Sequence, residues 1–187
     1  MIAQRGQSEN IWIENRSAGL KLFLSLLKKS KKPVVLDAGM LSGANIEFLS
    51  SFGCKVYTED IAGPSFDGNL EYEKEQFDGI ILWESADKLN PAQAESFFDE
   101  IERILRPGGI VFMVTSSQKK TRPEGSLRFR IRTDESFEHS FSDETLVHKH
   151  YYTNRELMKM LERFKTCCFN LLKTGNREIV FGRVESG

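Results

Sequence analysis

Apolar residues change their spacing along this chain, and each change marks an element. Between residues 10 and 29, Ile13, Leu20, Phe23, Leu24 and Leu27 fall on one helical face, which predicts a helix over 10–30. Pro33 ends that stretch, and "PVVLDA" is apolar without alternation, as in a strand buried on both faces. A glycine turn leads into a short helix with Ile46, Leu49 and Phe52 on one face, closed by Gly53. "CKVYTED" predicts a second strand. Residues 61–76 are polar and glycine-containing, with room for a loop and a short strand near Leu70–Tyr72 but not for a full helix. "FDGIILWE" predicts another buried strand. Asn90 and Pro91 open a helix in which Phe97, Ile101 and Leu105 recur at helical spacing. "RPGG" breaks it, and "IVFMVTS" is the next buried strand.

Beyond Ser117 the period drops to two. "SLRFRIRTDESFEHSF" alternates on both sides of a polar turn and predicts a β-hairpin. Thr153, with Glu156 three residues later, caps the helix "TNRELMKMLERF". "TCCFNLLK" and "REIVFGRV" flank "TGN" as a terminal hairpin. Strands alternating with helices predict an α/β fold with a doubly wound, mostly parallel sheet. The expectation is a single domain over 1–187, with residues 118–150 inserted on the substrate side.

In such sheets ligands gather at the carboxyl ends of the strands. The first strand ends at Asp37-Ala38-Gly39, the second at Glu59-Asp60 and the next long one at Trp83-Glu84, so these ends are expected to face one crevice. Gly39 brings bare backbone against a ligand, and Gly43 allows close approach where the helix offers free N–H groups. Asp60 is placed to accept both hydroxyls of a ribose, so the pattern suits an adenosine-containing ligand. The run G-M-L-S-G lacks the G-x-G-x-x-G that seats a pyrophosphate, and no Gly-Lys-Ser/Thr follows as in a P-loop. A ligand with a ribose and no phosphate fits better.

Composition narrows the classes. The chain has 187 residues, 40% hydrophobic and 28% charged, with a formal net charge of −1. No global field draws in nucleic acid or a membrane surface. No apolar run approaches a bilayer span and the N-terminus lacks a signal-peptide core, so the cytoplasm is the expected compartment. Cys54, Cys167 and Cys168 have no framework spacing, and the adjacent pair is expected on opposite faces of a strand.

Five stretches together resemble the class I S-adenosylmethionine-dependent methyltransferases of the compact kind. "VVLDAGMLSG" resembles the first motif, "GCKVYTED" the second strand with its ribose-binding acid, and "FDGIILWESADKL" the fourth strand and its loop. "ILRPGGIVFMVT" is similar to the turn and fifth strand, and "HYYTNRELMKMLERF" to the helix before the last hairpin. The resemblance implies a Rossmann-like sheet of seven strands with an antiparallel C-terminal hairpin and an inserted β-hairpin after strand 5. It implies S-adenosylmethionine as cofactor, S-adenosylhomocysteine as product and methyl transfer to a small molecule. It assigns Asp37, Gly39 and Gly43 to the methionine end, with Met40 in the same loop. Asp60 goes to the ribose, Ile61 to the adenine, and Trp83 and Glu84 to the methyl-transfer pocket.

Three departures stand out: Leu41 in place of the middle glycine, Lys88 where histidine is common, and a short segment after Asp60. A left-handed backbone at Leu41 would cost about 1–2 kcal/mol, and glycine there would then tighten binding. The alternative these departures support is a degenerate methyltransferase-like domain that serves as a partner or regulatory subunit.

Methyl transfer from a sulfonium is an in-line displacement that needs alignment and exclusion of water. A base is needed only where the nucleophile must lose a proton, and Glu84, His148 and His150 are the candidates. In the inserted hairpin Arg128, Arg130 and Arg132 share one strand face, with Lys119, Lys120 and Arg122 before them. That stripe either holds a carboxylate or phosphate of the substrate or pairs with Asp134, Glu135 and Glu138. It is too short for a nucleic-acid track, and an RNA-modifying role rests on it alone. Phe129, Ile131, Phe137 and Phe141 form an apolar face that would bury against a second subunit in a homodimer.

Overall fold

Strands β2 (Val34–Ala38), β4 (Phe77–Trp83) and β5 (Leu105–Ser116) are the most apolar, and they take the centre of the sheet. The computed structural model describes residues 11–61, 66, 69–117, 126–142 and 150–184. β3 (Lys55–Glu59) lies outside β2, and β9 (Asn176–Gly182) and β8 (Lys165–Leu171) lie outside β5, in the order β3-β2-β4-β5-β9-β8. The first four strands run parallel, and β9 is antiparallel to both its neighbours.

Both faces are covered, as continuous apolar strands require. On one face Leu36, Ile80, Val111 and Phe181 pack under helices α3 (Pro91–Ile104) and α4 (Asn154–Met160). On the other, Val35, Ile81, Phe112 and Val180 pack with α1 (Ala18–Leu27) and with Leu49 of α2 (Gly43–Ser51). Local signals hold the helix ends. Asn90 with Gln93, and Thr153 with Glu156, form reciprocal capping boxes. Gly53, just past α2, takes a left-handed φ of 95°. Leu105 is not helical but opens β5.

Among the described residues the main sheet has six strands. Leu70–Tyr72 is loop, because Arg103 of α3 donates to the carbonyls of Leu70 (2.9 Å) and Tyr72 (2.8 Å) that a ladder would use. The N-terminal helix is also shorter than its periodicity predicts. Residues Ile13–Arg16 are strand β1, and Ser17 caps α1 at the N–H of Leu20. β1 pairs with β7 (Ser136–Ser142), and β7 with β6 (Ser126–Thr133), so the inserted hairpin and the N-terminus form a separate three-stranded sheet. Asn15 points inward to the His139 ring (2.9 Å) and to the Thr174 hydroxyl (2.8 Å), partners that helical spacing cannot reveal.

One carboxylate ties the two ends of the chain. Glu178 on β9 is buried and accepts from the Ser17 hydroxyl (2.5 Å), the Gly19 N–H (2.9 Å) and the Asn170 amide (2.8 Å). Removing it would leave a buried helix-start N–H without its acceptor. Glu178→Ala is expected to destabilise the fold by about 3 kcal/mol, read as a lowered denaturation midpoint with unchanged slope.

Candidate active site

Parallel register brings three strand ends together. The Gly39 N–H donates to the Glu59 carbonyl (2.9 Å), so the bend after β2 lies beside Asp60 at the end of β3. Ala38 pairs with Leu82, and the Ser85 hydroxyl returns to the Ala38 carbonyl (2.8 Å), which places Trp83 and Glu84 against the same bend.

Residues 39–43 have no left-handed φ, so Leu41 carries no backbone strain. Its side chain is 65% exposed and plugs nothing. Gly39 is needed for packing, since a Cβ there would lie 3.0 Å from Trp83 Cβ. Gly43 is needed for neither φ nor packing: a Cβ there would meet nothing within 4 Å. Bare backbone thus faces open space where α2 begins, with Ser42 as the N-cap.

Asp37 is 4% exposed and its two oxygens are occupied. One accepts from the Trp83 indole N–H at 2.6 Å, the other from the Asn45 amide at 3.1 Å. Asn45 in turn accepts the Ile131 N–H of the small sheet at 2.8 Å. Trp83, 2% exposed, stacks on Phe129 of that sheet (4.9 Å between centroids, 16° between planes) and meets Phe112 edge-on. Burial pushes the Asp37 carboxyl up to about 6, against the smaller opposing pull of its hydrogen bonds from Trp83 and Asn45.

Two acids sit at the end of β3, with different duties. Glu59 is half-buried and accepts the Tyr72 hydroxyl at 2.7 Å; burial, and after it this bond, pushes that phenol well up. Asp60 is exposed beside the glycine bend, and Ile61 is buried in the α3 face of the core. Glu84 is not a solvated acid: it is 1% exposed, its N–H donates to the Val114 carbonyl (2.9 Å), and its φ is 50°. Left-handed backbone at a non-glycine residue costs about 1–2 kcal/mol and persists where the surroundings enforce it.

His150 donates its backbone N–H to the Asp87 carbonyl (2.7 Å) and rests its ring on Tyr152 (4.3 Å). His148, Lys119, Lys120 and Arg122 lie outside the described residues. Arg130 and Arg132 both reach Glu138, at 2.6 and 3.6 Å, and Arg130 lies over the Trp12 ring at 3.9 Å. Glu135 pairs with Lys21 at 2.9 Å. The aromatic face of the hairpin is likewise not a subunit surface, because Phe129, Ile131 and Phe137 are buried against Trp83 and the main sheet of their own chain.

Sequence reasoning missed Asn45, Asp87 and Arg177. Asn45 offers one signal, an amide of low helix propensity in the first turn of α2. Asp87 accepts from the Thr115 hydroxyl and the Ser116 N–H (2.7 Å), while Arg177 donates to the carbonyls of Ser116 (2.5 Å) and Tyr152 (2.8 Å). These pairs brace the ends of β5 and β9 and leave no local mark in the sequence.

Parallel strands in this order, with a glycine bend and an acid at adjoining carboxyl ends, define the architecture of the S-adenosylmethionine-dependent methyltransferases. A model described as "Methyltransferase domain" matches residues 12–165, and the chain belongs to that family. A Mesorhizobium loti S-adenosylmethionine-dependent methyltransferase superposes with a TM-score of 0.62 at 14% identity, over 87% of this chain and 96% of that one. A Methanosarcina mazei methyltransferase of the same kind gives 0.59 at 18% identity, over 84% and 95%. A Burkholderia thailandensis 1,6-didemethyltoxoflavin-N1-methyltransferase, solved with 1,6-didemethyltoxoflavin and S-adenosylhomocysteine, gives 0.59 at 15% identity, over 90% and 80%. No curated protein matches the sequence.

The Asp37 shift has a measurable consequence. Folded, the group keeps its proton up to about pH 6; unfolded, it releases it near 3.8. Between these values the folded state binds more protons, so stability falls as pH rises through that window. The loss is expected to be on the order of 2–3 kcal/mol, read from denaturation midpoints between pH 4 and 7. Asp37→Asn removes the titrating group, and that slope should vanish with it.

Proposed function

We propose that the chain transfers a methyl group from S-adenosylmethionine to a small-molecule acceptor. The observation that carries this is the juxtaposition of an exposed Asp60 with the bare, unstrained bend at Gly39–Gly43. The open space over Gly43 suits a ligand that packs on backbone, and an acid beside it suits a ribose diol. Asp60 takes the ribose hydroxyls. Gly39, Met40 and Gly43 form the cradle for the methionine end, with the first N–H groups of α2 directed to its carboxylate.

Asp37 and Trp83 act differently from residues that touch a ligand. Both are buried and joined to each other, so they hold the cradle at its depth. Ile61, also buried, supports the adenine end from within the core. When bound, the cofactor supplies an electrophilic methyl on sulfur; the chain supplies alignment and dryness. Glu84, fixed at the end of β4, is the acid we assign to the acceptor side. An anionic acceptor has no support from Arg130 and Arg132, which Glu138 already engages.

Binding decides between this reading and a degenerate partner domain. S-Adenosylmethionine and S-adenosylhomocysteine are expected to raise the melting temperature, since they bind the folded state. Asp60→Asn should weaken both ligands about tenfold or more by calorimetry, while Leu41→Gly, with no strain to relieve, should change affinity by less than about 0.5 kcal/mol. No thermal shift at millimolar ligand would favour the partner domain.

A further inference from the structure

β3 is the outer strand of the main sheet and, among the described residues, pairs only with β2. The Lys55 N–H donates to the Pro33 carbonyl and the Glu59 carbonyl accepts from Gly39, so residues 55, 57 and 59 spend their main-chain groups inward. Val56 and Thr58 therefore turn their N–H and C=O outward. Neither has a main-chain hydrogen bond to another described residue across that edge. The described part of the following segment lies over the α3 face instead: Phe66 meets Phe97 (5.7 Å), and Tyr72 meets Tyr57 (6.1 Å) and Phe77 (5.0 Å).

We propose that this edge docks β3 of a second copy of the chain, antiparallel about a two-fold axis at Tyr57. The strand reads Lys55-Val56-Tyr57-Thr58-Glu59, and about that centre it complements itself. Val56 faces Thr58 of the second copy, and the two exchange both N–H···O bonds; the symmetric pair repeats this. Tyr57 faces its own copy across the close, non-hydrogen-bonded position, a favoured aromatic cross-strand pair. Lys55 faces Glu59 of the second copy, twice, on one face of the joined sheet. A slip by one residue would oppose inward-facing groups, and a slip by two would set Lys55 against Tyr57 and break both ion pairs. The outward groups and the charges thus select one register. Of the devices that block edge pairing this strand lacks proline and glycine, and its two charges, Lys55 and Glu59, are the ones this register pairs.

Five residues a side bury less than a standard interface, so the dimer is of the weak, concentration-dependent class. Sedimentation velocity on the purified chain from about micromolar to about millimolar concentration should show a monomer becoming a dimer. Val56→Pro deletes the outward donor and leaves the bonds to β2 intact, so the variant should keep its melting temperature and stay monomeric. Lys55→Glu should weaken association about tenfold, and Lys55→Glu with Glu59→Lys should restore it. Glu59→Lys alone is the control for loss of the Tyr72 bond and should not restore association. A chain that stays monomeric throughout, a Val56→Pro protein that dimerises as before, or a double reversal that fails to rescue would each overturn the proposal. A docking edge meant for a different protein would give the first of these results.

Discussion

The buried carboxyl of Asp37 is the constraint on which the candidate site rests. It sits at the end of a central strand, out of water, with one oxygen on an indole and the other on an amide. Burying such a group is costly unless it is hydrogen-bonded, and here two donors offset part of the cost while burial raises its pKa to about 6. The same bonds decide where everything nearby lies. Trp83 is drawn behind the bend and leaves no room for a side chain at Gly39. Asn45 is held at the start of α2 and catches the main chain of β6. The glycine bend is therefore shaped from behind, by a polar link between the main sheet and the small one, rather than by left-handed residues of its own.

Much of the fold was legible because its signals are local. The buried strands lack alternation, α3 and α4 open on capping boxes, and the β6–β7 hairpin alternates around a polar turn; each is a property of neighbouring residues. The failures are all non-local. Ile13 sits at helical spacing from Leu20, yet its segment pairs with β7, more than a hundred residues away. The aromatic side of β6 reads as a surface in want of a partner, and its partner is Trp83 of the same chain. Leu70–Tyr72 is loop rather than strand, and the Arg103 guanidinium takes the carbonyls of Leu70 and Tyr72.

The candidate site was legible in part for the same reason. Glycines and acids at strand ends can be read from the order of elements, and the register brings those ends side by side. What each side chain does there could not be read. Asp37 and Asp60 read alike in the sequence, yet Asp37 is buried behind the bend and Asp60 is exposed beside it. Leu41 was expected to strain the backbone in place of glycine, and instead it has no left-handed φ and an exposed side chain. Glu84 read as a candidate base, and neither its burial, its left-handed backbone nor its bond to Val114 has a local signal in the sequence.

The Glu178 tie also bears on the order in which the molecule is assembled. Ser17 and Gly19 wait for a carboxylate that lies 161 and 159 residues further along, and β1 waits for β7. During synthesis from the N-terminus, Phe23, Leu24 and Leu27 of α1 thus emerge long before the strands they cover are complete. Ser17 and the start of α1 reach their final seat only when β9 has left the ribosome. Closure of this domain is a late, long-range event, the kind that slows folding and lengthens the exposure of apolar surface to chaperones.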